Sequence, residues 1–161
     1  IISVEDYIPD MKKIENSHFS KITTALRTKE EQKNIDFGLR MHYLFEITDF
    51  NNPDYKDFNA FEVNCIQKFI NTGILNDSKE IYKEYEFIYE NAGLESHGII
   101  DLLIIKKDKA VIVDYKLKHI TDTAYLKQLA GYKNYILEMT NLPVDVFLYS
   151  IMDSNLLNLN I

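Results

Sequence analysis

The sequence predicts an α/β domain in which helices come first, three strands follow, and a helix and a last strand close the chain. Three observations carry this. Apolar residues recur at three-to-four spacing before Gly73 and again from Thr123 to Met139. β-Branched and aromatic residues crowd the stretch from Ile81 to Tyr115. Gly73 and Asn141-Leu-Pro143 stand where one pattern gives way to the next. A length of 161 residues suits one domain that buries a core without disulfides or structural metal.

Residues 1–18 mix apolar and charged types with weak periodicity, and Pro9 interrupts any early helix, so an arm or linker is expected there and the domain proper over 19–161. Ser20 to Lys33 reads as a helix. From Asp36 onward Phe37, Met41, Leu44, Phe45 and Ile47 line one side of an amphipathic helix, with His42 on or near its buried edge. Phe58 to Ile70 reads as a further helix that turns Phe61, Cys65 and Phe69 to one apolar side and ends at Gly73. Ile81 to Tyr89, Gly98 to Ile105 and Ala110 to Tyr115 read as strands. A helix over Thr123–Met139 and a strand over Val144–Ile151 follow, and the Asn-rich tail after Asp153 is expected to fray.

Composition excludes several classes. A single cysteine leaves no intramolecular disulfide and no four-cysteine iron-sulfur cluster, so a reducing cytoplasm is the default. No stretch reaches the roughly 18 apolar residues of a membrane span, and the N-terminal residues lack the basic and apolar run of a signal peptide. The chain begins with Ile, which suggests a processed chain or an excised piece of a longer one. The formal charge of −7 weighs against a stand-alone nucleic-acid binder, because affinity for a polyphosphate comes largely from Lys and Arg.

The chemistry concentrates in Gly98-Ile-Ile-Asp101 and Asp114-Tyr-Lys116, joined through the polar stretch Lys106 to Lys109. If Lys107 and Asp108 form a two-residue loop, counting outward brings Asp101 opposite Asp114. Opposed carboxylates on an antiparallel pair lie about 5 Å apart and destabilise it unless a cation stands between them. The pattern therefore asks for a metal. Side chains alternate along a strand, so Asp101, Asp114 and Lys116 share one face while Tyr115 points to the other. Carboxylates are hard ligands suited to Mg²⁺ or Mn²⁺, and such an ion activates water and polarises a phosphoryl oxygen. Lys116 would orient or deprotonate that water, or neutralise the negative charge that develops.

Gly-Ile-Ile-Asp, a gap of twelve residues, then Asp-Tyr-Lys resembles the PD-(D/E)XK nucleases, in the form found in RecB and AddA nuclease domains. Gly38-Leu-Arg-Met-His42 resembles that family's upstream motif and Tyr125-Leu-Lys-Gln128-Leu-Ala-Gly-Tyr132 its downstream motif. Lys83-Glu84-Tyr-Glu-Phe87 looks like the strand leading into its hairpin. The resemblance covers roughly Asp36 to Ile151. It implies a restriction-endonuclease-like αβββαβ core with additional N-terminal helices. It further implies a metal held by His42, Asp101, Asp114 and the backbone carbonyl of Tyr115, and Lys116 as the catalytic lysine. DNA would be the substrate. The helicase portion of a parent chain and a partner subunit would be the partners, since no Walker sequence is present here.

Histidine beside two aspartates shifts the metal preference toward Mn²⁺ without settling it. Gln128 and Tyr132 lie at i and i+4 on one helical face, which suits either a substrate-side role or core packing with one hydrogen bond. His97 reads as a strand-edge or DNA-facing residue and not as a ligand. Glu84 reads as a supporting or surface group, and with Asp54, Asp57, Glu62, Asp77 and Glu80 as an acid set apart from the site. The rival reading is a catalytically silent RecB-like scaffold that binds a partner subunit or DNA.

Overall fold

Thr28 opens the first described helix: its backbone is extended and its hydroxyl accepts from the Glu31 N–H at 3.1 Å. The computed structural model describes residues 28–117 and 122–161. The expected arm over 1–18, and the part of the Ser20–Lys33 helix before Thr28, lie outside them. Helix α1 runs unbroken over Lys29–Ile47, so the described end of the expected Ser20–Lys33 helix is continuous with the helix expected from Asp36. Helix α2 (Ala60–Ile70) starts in a capping box, where Asn59 and Glu62 each accept the other's backbone N–H.

Cys65 and Phe69 are buried on α2 as expected, but Phe61 is half exposed, its ring beside that of Phe37. Steps of four residues drift about 40° around a helix. The buried stripe is centred on Glu62, Cys65, Ile66 and Phe69, and Phe61 falls on its flank.

Five strands follow: β1 (Ser78–Asn91), β2 (Leu94–Lys106), β3 (Ala110–Lys116), β4 (Val144–Ser150) and β5 (Asn155–Asn158). They form one sheet in the order β1-β2-β3-β4-β5. β3 and β4 pair in parallel and every other pair is antiparallel. Helix α3 (Thr123–Thr140) makes the crossover that a parallel pair requires. Asn141, left-handed at φ 55°, ends it ahead of Pro143. The tail after Asp153, expected to fray, instead adds β5 to the sheet, with Leu157 opposite Leu148. β3 is buried throughout, as the centre of a sheet covered on both faces must be.

Two cores flank the sheet. Met41, Leu44 and Phe45 of α1 and Ile66 and Phe69 of α2 pack on Leu102, Val113, Tyr115 and Tyr149. On the opposite face Leu129, Tyr132 and Ile136 of α3 pack on Leu103, Ile112 and Leu148. Among the described residues no helix is long and apolar enough to cross a membrane.

The β1–β2 hairpin changes faces partway along. Ile81 packs into the α1/α2 core and Lys83 donates to the Thr48 carbonyl beside it, whereas Tyr85, Phe87 and Tyr89 pack toward α3. β2 does the same, with Leu102 and Ile104 on one side and Ile100 on the other. Both inversions fall at one place. Lys83 pairs with Leu102 and Tyr85 with Ile100, while Glu84 and Asp101 between them do not pair. Gly98 serves this crossing: a Cβ there would stand 2.5 Å from the Phe87 ring and 2.9 Å from that of Tyr132.

Candidate metal centre

The Lys106–Lys109 turn forms as the sequence predicts: Lys106 N–H donates to the Lys109 carbonyl at 2.8 Å and Ile105 pairs with Ala110. This register runs outward to Leu102 opposite Val113 and then stops. Asp101 and Asp114 are the next residues out. There β2 leaves β3, and the Asp101 carboxylate takes the place of the backbone partner by accepting the Tyr115 N–H at 2.8 Å. That bond fixes Oδ2 of Asp101. Its Oδ1 is buried and makes no hydrogen bond.

His42 reaches the same point from α1. Its Nε2–H donates to the Tyr115 carbonyl at 3.1 Å, which turns Nδ1 toward Asp101 Oδ1 at 3.7 Å. Burial holds the imidazole down at about 3, so it is neutral near pH 7. With the proton on Nε2, Nδ1 presents a lone pair, and two electron-rich atoms then face each other across 3.7 Å.

Glu84 joins this pair, which the sequence reading did not anticipate. One ligand atom each from His42, Glu84 and Asp101 lies within 4.8 Å of the others. Glu84 sits at the point where β1 inverts, with φ 47°, a left-handed conformation that costs a non-glycine residue about 1–2 kcal/mol. Placing it among acids apart from the site is therefore corrected. Period-two counting treats a strand as uniform and gives no sign of a kink, and a non-glycine residue at positive φ leaves no mark in the sequence.

Asp114 is held differently. Its Oδ2 accepts from the Tyr125 hydroxyl at 2.5 Å and lies 3.6 Å from Lys116 Nζ. Lys116 is fully buried and its ammonium stands 4.4 Å from the centre of the Tyr125 ring. Burial lowers the lysine to about 6 and raises Asp114 to about 7, with the Tyr125 hydroxyl opposing the latter. Burial also raises Glu84 to about 7, and it raises Asp101 well above the usual carboxylate range, with Asp114 and Glu84 adding to the effect.

The expected residues thus gather at one end of the sheet in two groups. His42, Asp101 and the Tyr115 carbonyl converge with Glu84. Asp114, Lys116 and Tyr125 form the second group beside them. The donor set of imidazole nitrogen, carboxylate oxygens and a carbonyl fits a divalent ion of the Mg²⁺ or Mn²⁺ kind, and the bond-free Asp101 Oδ1 is the atom that most needs one.

Gln128 and Tyr132 stand further along α3. Gln128 donates to the Tyr132 hydroxyl at 3.1 Å, and that hydroxyl accepts the Ile99 N–H at 3.3 Å. Tyr132 is buried among Phe87 and Tyr89 and ties α3 to β2 near the inversion. Gln128 is partly exposed. His97 lies on the distal hairpin, 3.3 Å from Glu86, and is not one of the gathered residues.

No family model and no curated protein matches the chain. A solved structure, that of protein VC1899 from Vibrio cholerae, is similar over 94% of this chain and 50% of its own, with 12% identity and a TM-score of 0.33. The chain spans about half the length of that protein.

Proposed function

We propose that the chain is a metal-dependent deoxyribonuclease domain of the RecB/AddA kind. The observation that carries this is the meeting of His42, Asp101, the Tyr115 carbonyl and the Asp114–Lys116 pair where β2 parts from β3. Acids buried together at a strand break make one another costly to ionise, and a cation among them relieves that cost. The sequence of elements, with β3 and β4 parallel around α3, supports a restriction-endonuclease-like αβββαβ core.

His42, Asp101, Asp114 and the Tyr115 carbonyl would hold the ion. When bound, a divalent metal polarises a phosphodiester oxygen and makes a bound water more acidic. The chain's own groups supply the rest. The Tyr115 N–H holds Asp101 Oδ2 so that Oδ1 faces inward. The Tyr125 hydroxyl orients Asp114. Lys116, brought to about 6, is largely free amine at pH 7 and accepts the proton of the attacking water. As ammonium it then lies against the negative charge that develops on the phosphoryl group. Gln128, partly exposed on α3, faces substrate in this reading.

The acidic balance of the chain favours one competing reading, a silent scaffold of the same fold. Incubating the protein with linear DNA in Mn²⁺ decides between them. Cleavage that EDTA and Asp114→Ala both abolish supports the nuclease. Absence of cleavage at any Mn²⁺ or Mg²⁺ concentration, in a chain that binds the metal, identifies the scaffold. Closed circular DNA in parallel separates an end-dependent exonuclease from an endonuclease.

A further inference from the structure

We propose that β1 pairs with β1 of a second copy of this chain, antiparallel about a two-fold axis between Glu84 and Tyr85, so that two sheets run on as one. The inference stands apart from the metal-dependent reading and does not need it.

β1 is an edge strand of 14 residues, and among the described residues no strand lies on its outer side. A long edge with open backbone donors and acceptors is a template for another strand, and edges that stay free are usually kept short or carry proline. The opposite edge, β5, has four residues. β1 has no proline, and on it Tyr82 is 41% and Ile88 60% exposed.

A second copy is the occupant that this edge selects, because its charges complement themselves. With the axis between Glu84 and Tyr85, Lys79 stands opposite Glu90, Lys83 opposite Glu86, Ile81 opposite Ile88 and Tyr82 opposite Phe87. Two-fold symmetry makes each of these matches twice. Moving the axis one residue either way sets Ile81 against Glu86 or against Glu90 and loses them. Lys83 already donates to Thr48 and Glu86 lies 3.3 Å from His97, whereas Lys79 and Glu90 are exposed with no ion-pair partner among the described residues. The outer pair is therefore the one left to be satisfied across the axis.

The hairpin inversion makes this register possible. Residues directly opposite in a sheet share a face, and in a uniform strand Ile81 and Ile88 would point to opposite sides. Here Ile81 packs on the α1 side, Tyr85, Phe87 and Tyr89 face α3, and Glu86 and Ile88 between them return to the α1 side. The axis passes through the one place where the strand changes faces, so each matched pair lies on a common side. Asp101 of the two copies, each one strand in from the shared edge, would stand three strand spacings apart, roughly 14 Å.

The test is sedimentation equilibrium of the full chain in EDTA, from about 1 to about 200 µM. Wild type, Lys79→Glu, Glu90→Lys and the double exchange are compared, with unchanged melting temperatures as the fold control. The wild type is expected to dimerise. Each single exchange, which sets like charges opposite each other twice, is expected to weaken the dimer by about tenfold or more, and the double exchange to restore it. A wild type that stays monomeric overturns the proposal. So does a dimer that neither single exchange weakens, or a double exchange no tighter than the singles. Should an exchange not fold, Ile88→Lys decides: a dimer as tight as wild type overturns the pairing.

Discussion

Replacing Asp101 with Asn separates what the metal-free chain tolerates from what the site is built to hold. Asp101 and Glu84 place carboxylate oxygens within 4.8 Å, where two full charges at an effective dielectric of about 20 repel by about 3 kcal/mol. Protonation already relieves part of this near neutral pH, because burial raises both groups. Asn keeps an oxygen to accept the Tyr115 N–H and puts an amide donor where Oδ1 now has no partner. The net gain for the metal-free variant is about 1–2 kcal/mol, which for a domain of this size raises the melting temperature by roughly 3–6 °C at pH 8. Saturating Mn²⁺ inverts the order. At a hundredfold excess over Kd the wild type gains about 2.7 kcal/mol by mass action, and the variant gains little. Differential scanning fluorimetry in EDTA and in Mn²⁺ reads both halves. A variant that melts below the wild type in EDTA, or one that Mn²⁺ stabilises as much as the wild type, refutes the reasoning.

Lys116→Ala is expected to retain Mn²⁺ binding while lowering DNA hydrolysis by about 100-fold or more, since its Nζ is turned to Asp114 and the Tyr125 ring and the lysine acts in the chemical step; near-normal cleavage would leave the lysine a purely structural role. Apparent Mn²⁺ affinity should rise with pH from 6 to 8. Glu84 and Asp114 hold protons up to about 7 and Asp101 beyond the usual range, the metal must displace them, and His42 at about 3 is already neutral. Titrations in buffers of different ionisation enthalpy count the released protons, and a pH-independent affinity would contradict the site. Gly98→Ala pushes a methyl against Phe87 and Tyr132 and should cost about 1–3 kcal/mol in urea unfolding. A neutral result would show that those rings move freely.

How much was legible beforehand differs by element. The α/β class, the order of helices and strands, and the register from Ile105–Ala110 out to Leu102–Val113 all followed from periodicity and one turn, which are local properties, whereas the direct pairing of Asp101 with Asp114 expected from that register does not form because β2 leaves β3 there. His42 could be placed near the site only through a motif, because the approach of α1 to the Tyr115 carbonyl joins residues far apart in the chain. β5 was missed because four residues carry too little periodicity to mark a strand until β4 offers them an edge.

By itself, then, the sequence determined the fold class, the β2–β3 hairpin register and the acids and lysine at its open end, because alternation and turn length act over a few residues. Only the tertiary structure decided the inversion of β1 and β2, the left-handed Glu84 beside Asp101, and the turning of Asp114 to Tyr125 and Lys116. The two cores pull the hairpin toward opposite helical layers on either side of Glu84 and Asp101. The twist they demand falls where backbone pairing can be given up, and no single segment of sequence contains that competition.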